Sequence, residues 1–272
     1  MKLGITLPSF RDDPETALGV AGAAERARVD GVFAFDHLFR EARDGTRRPA
    51  LECHTLLGAV AAETRRIAFG PLVARATLRP PATLAAALDT LDRIGGGRLI
   101  ATIGSGDAQS RGENESFGLP FGSVEERVVS LGATVGATRG RGYPVWVGGD
   151  SHAVRLLAAS DADGWNRWGA AAGRFAREAK AVREHVERAP REFTVSWGGQ
   201  IVLGATEAEA DAKRARLEPA PSVLAGGPER VAEAIRTYGD AGAEWVIVGP
   251  VDSSDPDNAA VLGERVKPLL SA

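Results

Sequence analysis

Three short stretches of this 272-residue chain put residue types capable of chemistry at the ends of apolar runs. Asp36-His37 sets an imidazole beside a carboxylate. A histidine titrates near neutral pH, so such a pair can exchange a proton with a bound molecule; it could equally be a solvated loop pair, or Asp36 a cap. Gly104-Ser105-Gly106-Asp107 lets the backbone approach a flat ring or a phosphate closely, and Asp107 adds a possible acid or base. The alternatives are a bare structural turn and a solvated carboxylate. The stretch is not a dinucleotide fingerprint, because Gln109 stands where a third glycine would be needed. Gly148-Gly149-Asp150-Ser151 runs from an apolar stretch into a helical pattern. The unpaired N–H groups at the start of that helix make a ready anion site, and the glycines exceed what a cap by Ser151 or Asp150 requires.

Other chemistries find little support. The remaining histidines fall in helical patterns (His54, His185) or open one (His152). There is no His-x-His and no HExxH, and Glu113, Glu115 and Asp107 have no imidazole close by in sequence, so no metal site is expected. No G-x-S-x-G elbow supports a serine nucleophile. Glycine-lined strand ends with one histidine point to an organic cofactor that carries the reactivity itself.

The elements that must position these groups alternate. Continuous apolar runs predict strands at Leu3–Pro8, Gly31–Asp36, Ile67–Val73, Leu99–Ser105, Val145–Gly149, Ala162–Asn166, Phe193–Leu203 and Trp245–Pro250, as expected where both faces of a parallel sheet are covered. Helical stripes lie between them. Asp13-Pro14 starts one, Leu84, Leu88 and Leu91 mark a second that Gly95-Gly96-Gly97 ends, and Ser123 with Glu126 reads as a capping box. Phe175, Ala179, Val182 and Val186 form another stripe, Thr206 with Glu209 repeats the box, and Pro228 opens a helix with Val231, Ile235 and Tyr238. Ala137–Tyr143 and Leu217–Leu224 read as loops. Eight strand–helix units in about 250 residues predict one (β/α)8 barrel over 1–272, with a doubly wound open sheet as the alternative. A barrel of this kind gathers the C-terminal strand ends, and with them all three stretches, on one rim.

Composition bounds the function. Thirty-three basic and 36 acidic side chains leave a net charge of −3, with no broad positive field for nucleic acid or an anionic membrane. The single cysteine, Cys53, excludes an internal disulfide framework. The opening MKLGITLP lacks the long apolar run of a signal peptide, and no run approaches a membrane span, so a cytoplasmic enzyme is expected.

Several stretches, in order, resemble the bacterial luciferase-like family, and within it the branch using the deazaflavin coenzyme F420: GITLPSF (4–10), DGVFAFDHLF (30–39), TRRIAFGPLV (64–73), TLRPPATLAAALDTLDRIGGGRL (77–99), TIGSGD (102–107), FGLPFGSVEERV (117–128), PVWVGGDSHAVRLLAASDADGWN (144–166) and GGPERVAEAIRTYGDAGAEWVIV (226–248). The resemblance implies F420, or alternatively FMN, at the C-terminal rim. It places His37 as the active-site histidine with Asp36 beside it, and Asp107 where some relatives carry a catalytic glutamate. It places Val73 and Ala74 at a third-strand bulge, often a non-prolyl cis peptide, that backs the ring. Gly104, Ser105 and Gly106 would line the cofactor, and Gly148 and Gly149, followed by Ser151, would meet its phosphate.

The family's long excursions after residue 137 and after Leu217 are short here, which leaves an open site, a lid from a partner subunit, or loss of catalysis. Three functions follow: an F420-dependent oxidoreductase acting on a small organic substrate, an FMN-dependent monooxygenase, or a non-catalytic cofactor-binding protein. Arg75, Arg111 and Arg167 are candidate contacts for ligand anions, and Leu- and Ala-rich helix faces would allow a homodimer.

Overall fold

The computed structural model describes residues 1–41, 45–187, 191–217 and 223–270. Its strands are β1 (Lys2–Thr6), β2 (Gly31–Ala34), β3 (Phe39–Glu41), β4 (Arg47–Pro49), β5 (Ala68–Pro71), β6 (Ala74–Arg75), β7 (Ala101–Gly104), β8 (Val145–Gly148), β9 (Gly164–Trp168), β10 (Thr194–Leu203), β11 (Leu224–Gly226) and β12 (Trp245–Pro250). The helices that follow them are α1 (Pro14–Arg26), α2 (Cys53–Glu63), α3 (Pro81–Gly95), α4 (Ser110–Ser116), α5 (Val124–Thr138), α6 (His152–Asp161), α7 (Ala172–Val186), α8 (Glu207–Arg214) and α9 (Pro228–Asp240), then a helical segment over 257–269.

The strands pair in parallel in the order β5-β2-β1-β12-β10-β9-β8-β7-β6, with β11 added beside β10. The two ends of this path, β5 and β6, are successive pieces of one strand run, interrupted where the Leu72–Val73 peptide bond is cis. That run joins β7 on both sides of the break. Phe69 N donates to Arg98 O at 3.2 Å and Ile100 N to Phe69 O at 2.9 Å, while Ala76 N donates to Gly104 O at 2.9 Å. The open-sheet alternative is thereby excluded, and the result is a nearly closed (β/α)8 barrel. Closure sets a local requirement at Gly70, where a Cβ would overlap the carbonyl oxygen of Ile100.

The inside of the barrel is filled by Phe33, Leu72, Ile100, Trp146, Trp245 and Ile247. Large rings face glycines there: Phe33 occupies the room above Gly4, and Trp146 that above Gly164. A second, larger core lies between the strands and the helices. Leu84, Leu88 and Leu91 of α3 turn into it, and each fully buried leucine contributes about 1.5–3 kcal/mol.

Helix starts follow local chemistry. Asp13 accepts from Thr16 N at 3.3 Å with Pro14 in the first turn, and Ser123 and Glu126 complete a reciprocal capping box on α5. At α8 the box is altered: Thr206 accepts from Glu209 N, but Glu209 reaches back to Ala205 N rather than to the cap residue.

Three readings of the sequence need correction. The third strand is two pieces around the cis bond instead of the continuous Ile67–Val73. A small antiparallel hairpin, β3 with β4, was not foreseen. Within the expected loop Leu217–Leu224, residues 218–222 lie outside the described residues, and Leu224 already belongs to β11.

Candidate active site

A cleft of about 600 Å³ opens at the C-terminal ends of the strands, within the range of small-molecule sites. Asp36, His37, Val73, Gly104, Ser105, Gly106, Asp107, Gly148, Gly149 and Ser151 all line it. Of the residues expected in catalysis or on the cofactor, Ala74 alone does not; it is fully buried in β6, paired with Ile103.

The chain leaves β2 at Ala34 and reaches Asp36-His37 two residues later. Asp36 is buried, and its carboxylate accepts from Arg75 N at 2.9 Å and from both terminal nitrogens of Arg79 at 2.7 and 3.1 Å. Arg75 Nε donates to Asp36 O at 2.7 Å, so the ends of β2 and β6 are tied together. Arg79 bridges on to Glu52. Burial works against the Arg79 charge, but Asp36 and Glu52 outweigh it and raise its pKa. Asp36 therefore acts as an internal counter-ion and a fixed support for the residue after it.

His37 Nδ1 meets Glu113 Oε1 at 2.5 Å, and the other oxygen of Glu113 accepts from Leu38 N at 2.9 Å and Arg75 Nη2 at 2.7 Å. Glu113 is 5% exposed. Burial alone would raise its pKa, but the His37 bond, the Leu38 amide and the Arg75 charge overcome this and hold it below the usual carboxylate range. A carboxylate anchored on Nδ1 selects the tautomer that leaves the lone pair on Nε2. Nε2 makes no hydrogen bond among the described residues, and the ring lies against Phe10 at 5.4 Å. Glu113 sits on α4, 76 residues from His37, and no pattern in the sequence joins the two. Glu113, which has no imidazole close by in sequence, thus gains one through the fold.

Asp36, Cys53 and His54 also bring possible metal-ligating atoms within 4.8 Å of one another. A cation already occupies the Asp36 oxygens, namely the Arg79 guanidinium. Burial and the Asp36 charge push the Cys53 thiol well up, away from the thiolate a metal would need.

The other wall is backbone. Val73 stands over β7 and β8, where a Cβ on Gly104 or on Gly148 would overlap its side chain. The barrel mouth therefore has an apolar floor bordered by two strands that end in glycine, Gly104 on β7 and Gly148 on β8. Gly106 (φ 72°) and Gly149 (φ 147°) turn the chain outward in conformations that favour glycine. Asp107 is exposed, and one carboxylate oxygen accepts from Ser110 N and Oγ, both at 3.1 Å. Ser151 caps α6, its hydroxyl accepting from Val154 N at 3.3 Å.

The candidate anion-binding arginines are already engaged. Arg75 holds Glu113, and Arg167 pairs with Glu178 at 2.8 Å and Asp150 at 3.4 Å. Arg111 does not line the cleft and pairs with Glu115 at 3.6 Å. A fourth arginine that the sequence did not single out, Arg127, does line the cleft.

Residues 1–222 match the family described as luciferase-like monooxygenase. The chain belongs to that family. A relative from Nakamurella multipartita, an F420-dependent glucose-6-phosphate dehydrogenase, is 26% identical over 331 aligned positions, covering 100% of this chain and 97% of that protein. The alignment is longer than the chain, so the relative carries segments that are absent here. The enzyme of the same description from Beutenbergia cavernae is 34% identical over 128 residues, 47% of this chain and 37% of its own length. Among solved structures of similar fold is an F420-dependent secondary alcohol dehydrogenase in complex with an F420–acetone adduct (16% identity, TM-score 0.81, 99% and 98% of the two chains). An EDTA monooxygenase from Chelativorans is equally alike in fold (14%, 0.81, 100% and 93%).

Proposed function

We propose that the protein is an F420-dependent oxidoreductase that moves hydride between the deazaflavin and a small organic substrate. The observation that carries this reading is the composition of one cleft: a histidine fixed through Nδ1 by a buried carboxylate, facing an apolar floor bordered by bare glycine backbone. The floor suits a flat ring, because Val73 fills the room that side chains on Gly104 and Gly148 would take. The relatives named as F420-dependent support the deazaflavin over FMN.

In this reading F420, when bound, supplies two-electron hydride chemistry. Val73, with Ala74 buried behind it, would back the ring, and Gly104, Ser105 and Gly106 would allow close backbone approach. The Ser151-capped start of α6 would hold the phosphate through its first-turn N–H groups and positive end, with Gly148 and Gly149 leaving room for it, since the Gly149 N–H is given to Asn166 O at 3.2 Å. His37 Nε2 takes the proton that a carbinol releases as it is oxidised and returns it when a carbonyl is reduced. Glu113 steadies the imidazolium that forms. Asp107 is the second acid, its reach limited by the turn it makes with Ser110. A substrate of the sugar-phosphate class, as in the relatives' names, fits the same frame. A cytoplasmic location and a homodimer belong to the same proposal.

The test is anaerobic turnover, followed through the deazaflavin absorbance as sugar phosphates and secondary alcohols are supplied. Exchange with at least one of them is expected from wild type. Stoichiometric F420 binding without exchange across both classes would instead identify a non-catalytic binding protein.

A further inference from the structure

Two side chains at the barrel mouth, Val73 and Trp168, pack on top of the inner core. Val73 covers Gly104 and Gly148, on β7 and β8. Trp168, the last residue of β9, covers the strands on the far side of β9. A Cβ on Gly198 of β10 would overlap its indole, and one on Gly249 of β12 would lie 3.2 Å from it. The indole then meets Phe35 edge-on, just past the end of β2, with ring centroids 5.7 Å apart. Phe35 stacks on Phe10 at 6.3 Å, and Phe10 lies against His37. Phe35 and Trp168 both line the cleft, and both are only partly buried. One aromatic wall therefore runs from β10 and β12 to the imidazole.

The wall presents ring carbon, with no hydroxyl, amide or charged group among its side chains. Sugar hydroxyls set against it would give up water for no partner, whereas hydrocarbon gains from leaving water. The arginines tied to this wall are engaged: Arg75 holds Glu113, and Arg167, next to Trp168 in the chain, holds Glu178. The wall also sets size. Glycines at 198 and 249 leave a space over β10 and β12, and the indole takes it. We infer that Trp168 is the specificity-determining residue of this cleft, one that admits a small apolar carbinol or ketone beside His37 and excludes bulkier ones. The reaction assigned to that substrate rests on the function proposed above; the wall does not. Removing the indole while keeping an apolar surface opens the room above Gly198 and Gly249 to a larger hydrocarbon. One methylene in such a pocket changes discrimination by about 10–200-fold.

The experiment compares wild type with Trp168→Leu, which is smaller but apolar, and with Trp168→Phe, which keeps an aromatic ring. Full chains loaded with F420 are supplied with sec-butanol, menthol and glucose 6-phosphate, and kcat and KM are read separately. Wild type is expected to favour sec-butanol over both others in kcat/KM. In Trp168→Leu the ratio of menthol to sec-butanol rises by about tenfold or more, mainly through KM, with Trp168→Phe in between. F420 affinity and the pH profile of kcat stay as in wild type, which separates a lost wall from a damaged fold. A ratio unchanged within about twofold in Trp168→Leu, or a wild type that prefers glucose 6-phosphate, would overturn the inference. If no substrate exchanges hydride with F420, the function proposed above fails and the wall is tested alone. Cyclohexanone is then titrated into the chain while tryptophan emission is followed, Trp168 being the one tryptophan that is not buried. A saturable change in wild type that Trp168→Phe abolishes supports the wall. No saturable change, or one that persists in Trp168→Phe, overturns it.

Discussion

At the scale of single residues, the account turns on how His37 is held. Its Nδ1 is anchored by Glu113, and Glu113 is anchored by Arg75 and the Leu38 amide. Removal of the imidazole in His37→Ala is expected to lower kcat by about 10²–10⁴-fold while F420 affinity changes little, a split read from steady-state rates against a binding titration. Glu113→Gln keeps shape but loses the anion that anchors His37 Nδ1, so kcat is expected to fall in steady-state assays. Glu113 also makes stability depend on pH. Its pKa is lowered on folding, so its contribution is fully present above the unfolded value near 4.5 and disappears as pH falls through the folded value. Urea midpoints measured from pH 7 down to acid should therefore fall less steeply in Glu113→Gln than in wild type. Asp36 and His37 were legible because a strand end on a barrel rim is where chemistry collects. Glu113 was not, because its meaning depends on which side chains the fold sets beside it.

At the scale of elements, helix starts were the clearest part of the sequence, since caps are local: Asp13 and Ser123 do what their spacing implies. Ser123→Ala should cost about 1 kcal/mol, seen as a lower urea midpoint, because the Glu126 amide at the start of α5 loses its acceptor. The hairpin of β3 and β4 escaped notice because its strands are three residues each and rich in arginine, without an apolar alternation. The Asp44-Gly45 dipeptide between them was the available signal. The break in the third strand left only Gly70-Pro71 as a local trace within Ile67–Val73, while the family resemblance places a bulge at Val73 and Ala74, beside the Leu72–Val73 cis bond. Only the barrel's need to bring β5 and β7 into contact distinguishes Gly70. A Gly70→Ala change should therefore destabilise the protein by about 1–3 kcal/mol or more in equilibrium unfolding, through overlap with the Ile100 carbonyl.

At the scale of the whole molecule, alternation of apolar runs with helical stripes was enough to imply a barrel. The closed ring then brings residues from positions 36 to 151 onto one mouth. One relative aligned from end to end carries segments that this chain lacks, while the floor of this mouth keeps its parts. A ligand that binds the folded barrel alone must stabilise it. At a free concentration about 100 times its Kd this adds about 2.7 kcal/mol, raising Tm by roughly 5–10 °C for a chain of this size. The most direct measurement is an anaerobic equilibrium titration of the wild-type chain with F420 and, separately, with FMN. The account requires one F420 per chain, bound at least tenfold tighter than FMN. Saturable FMN binding with no detectable F420 complex would contradict it.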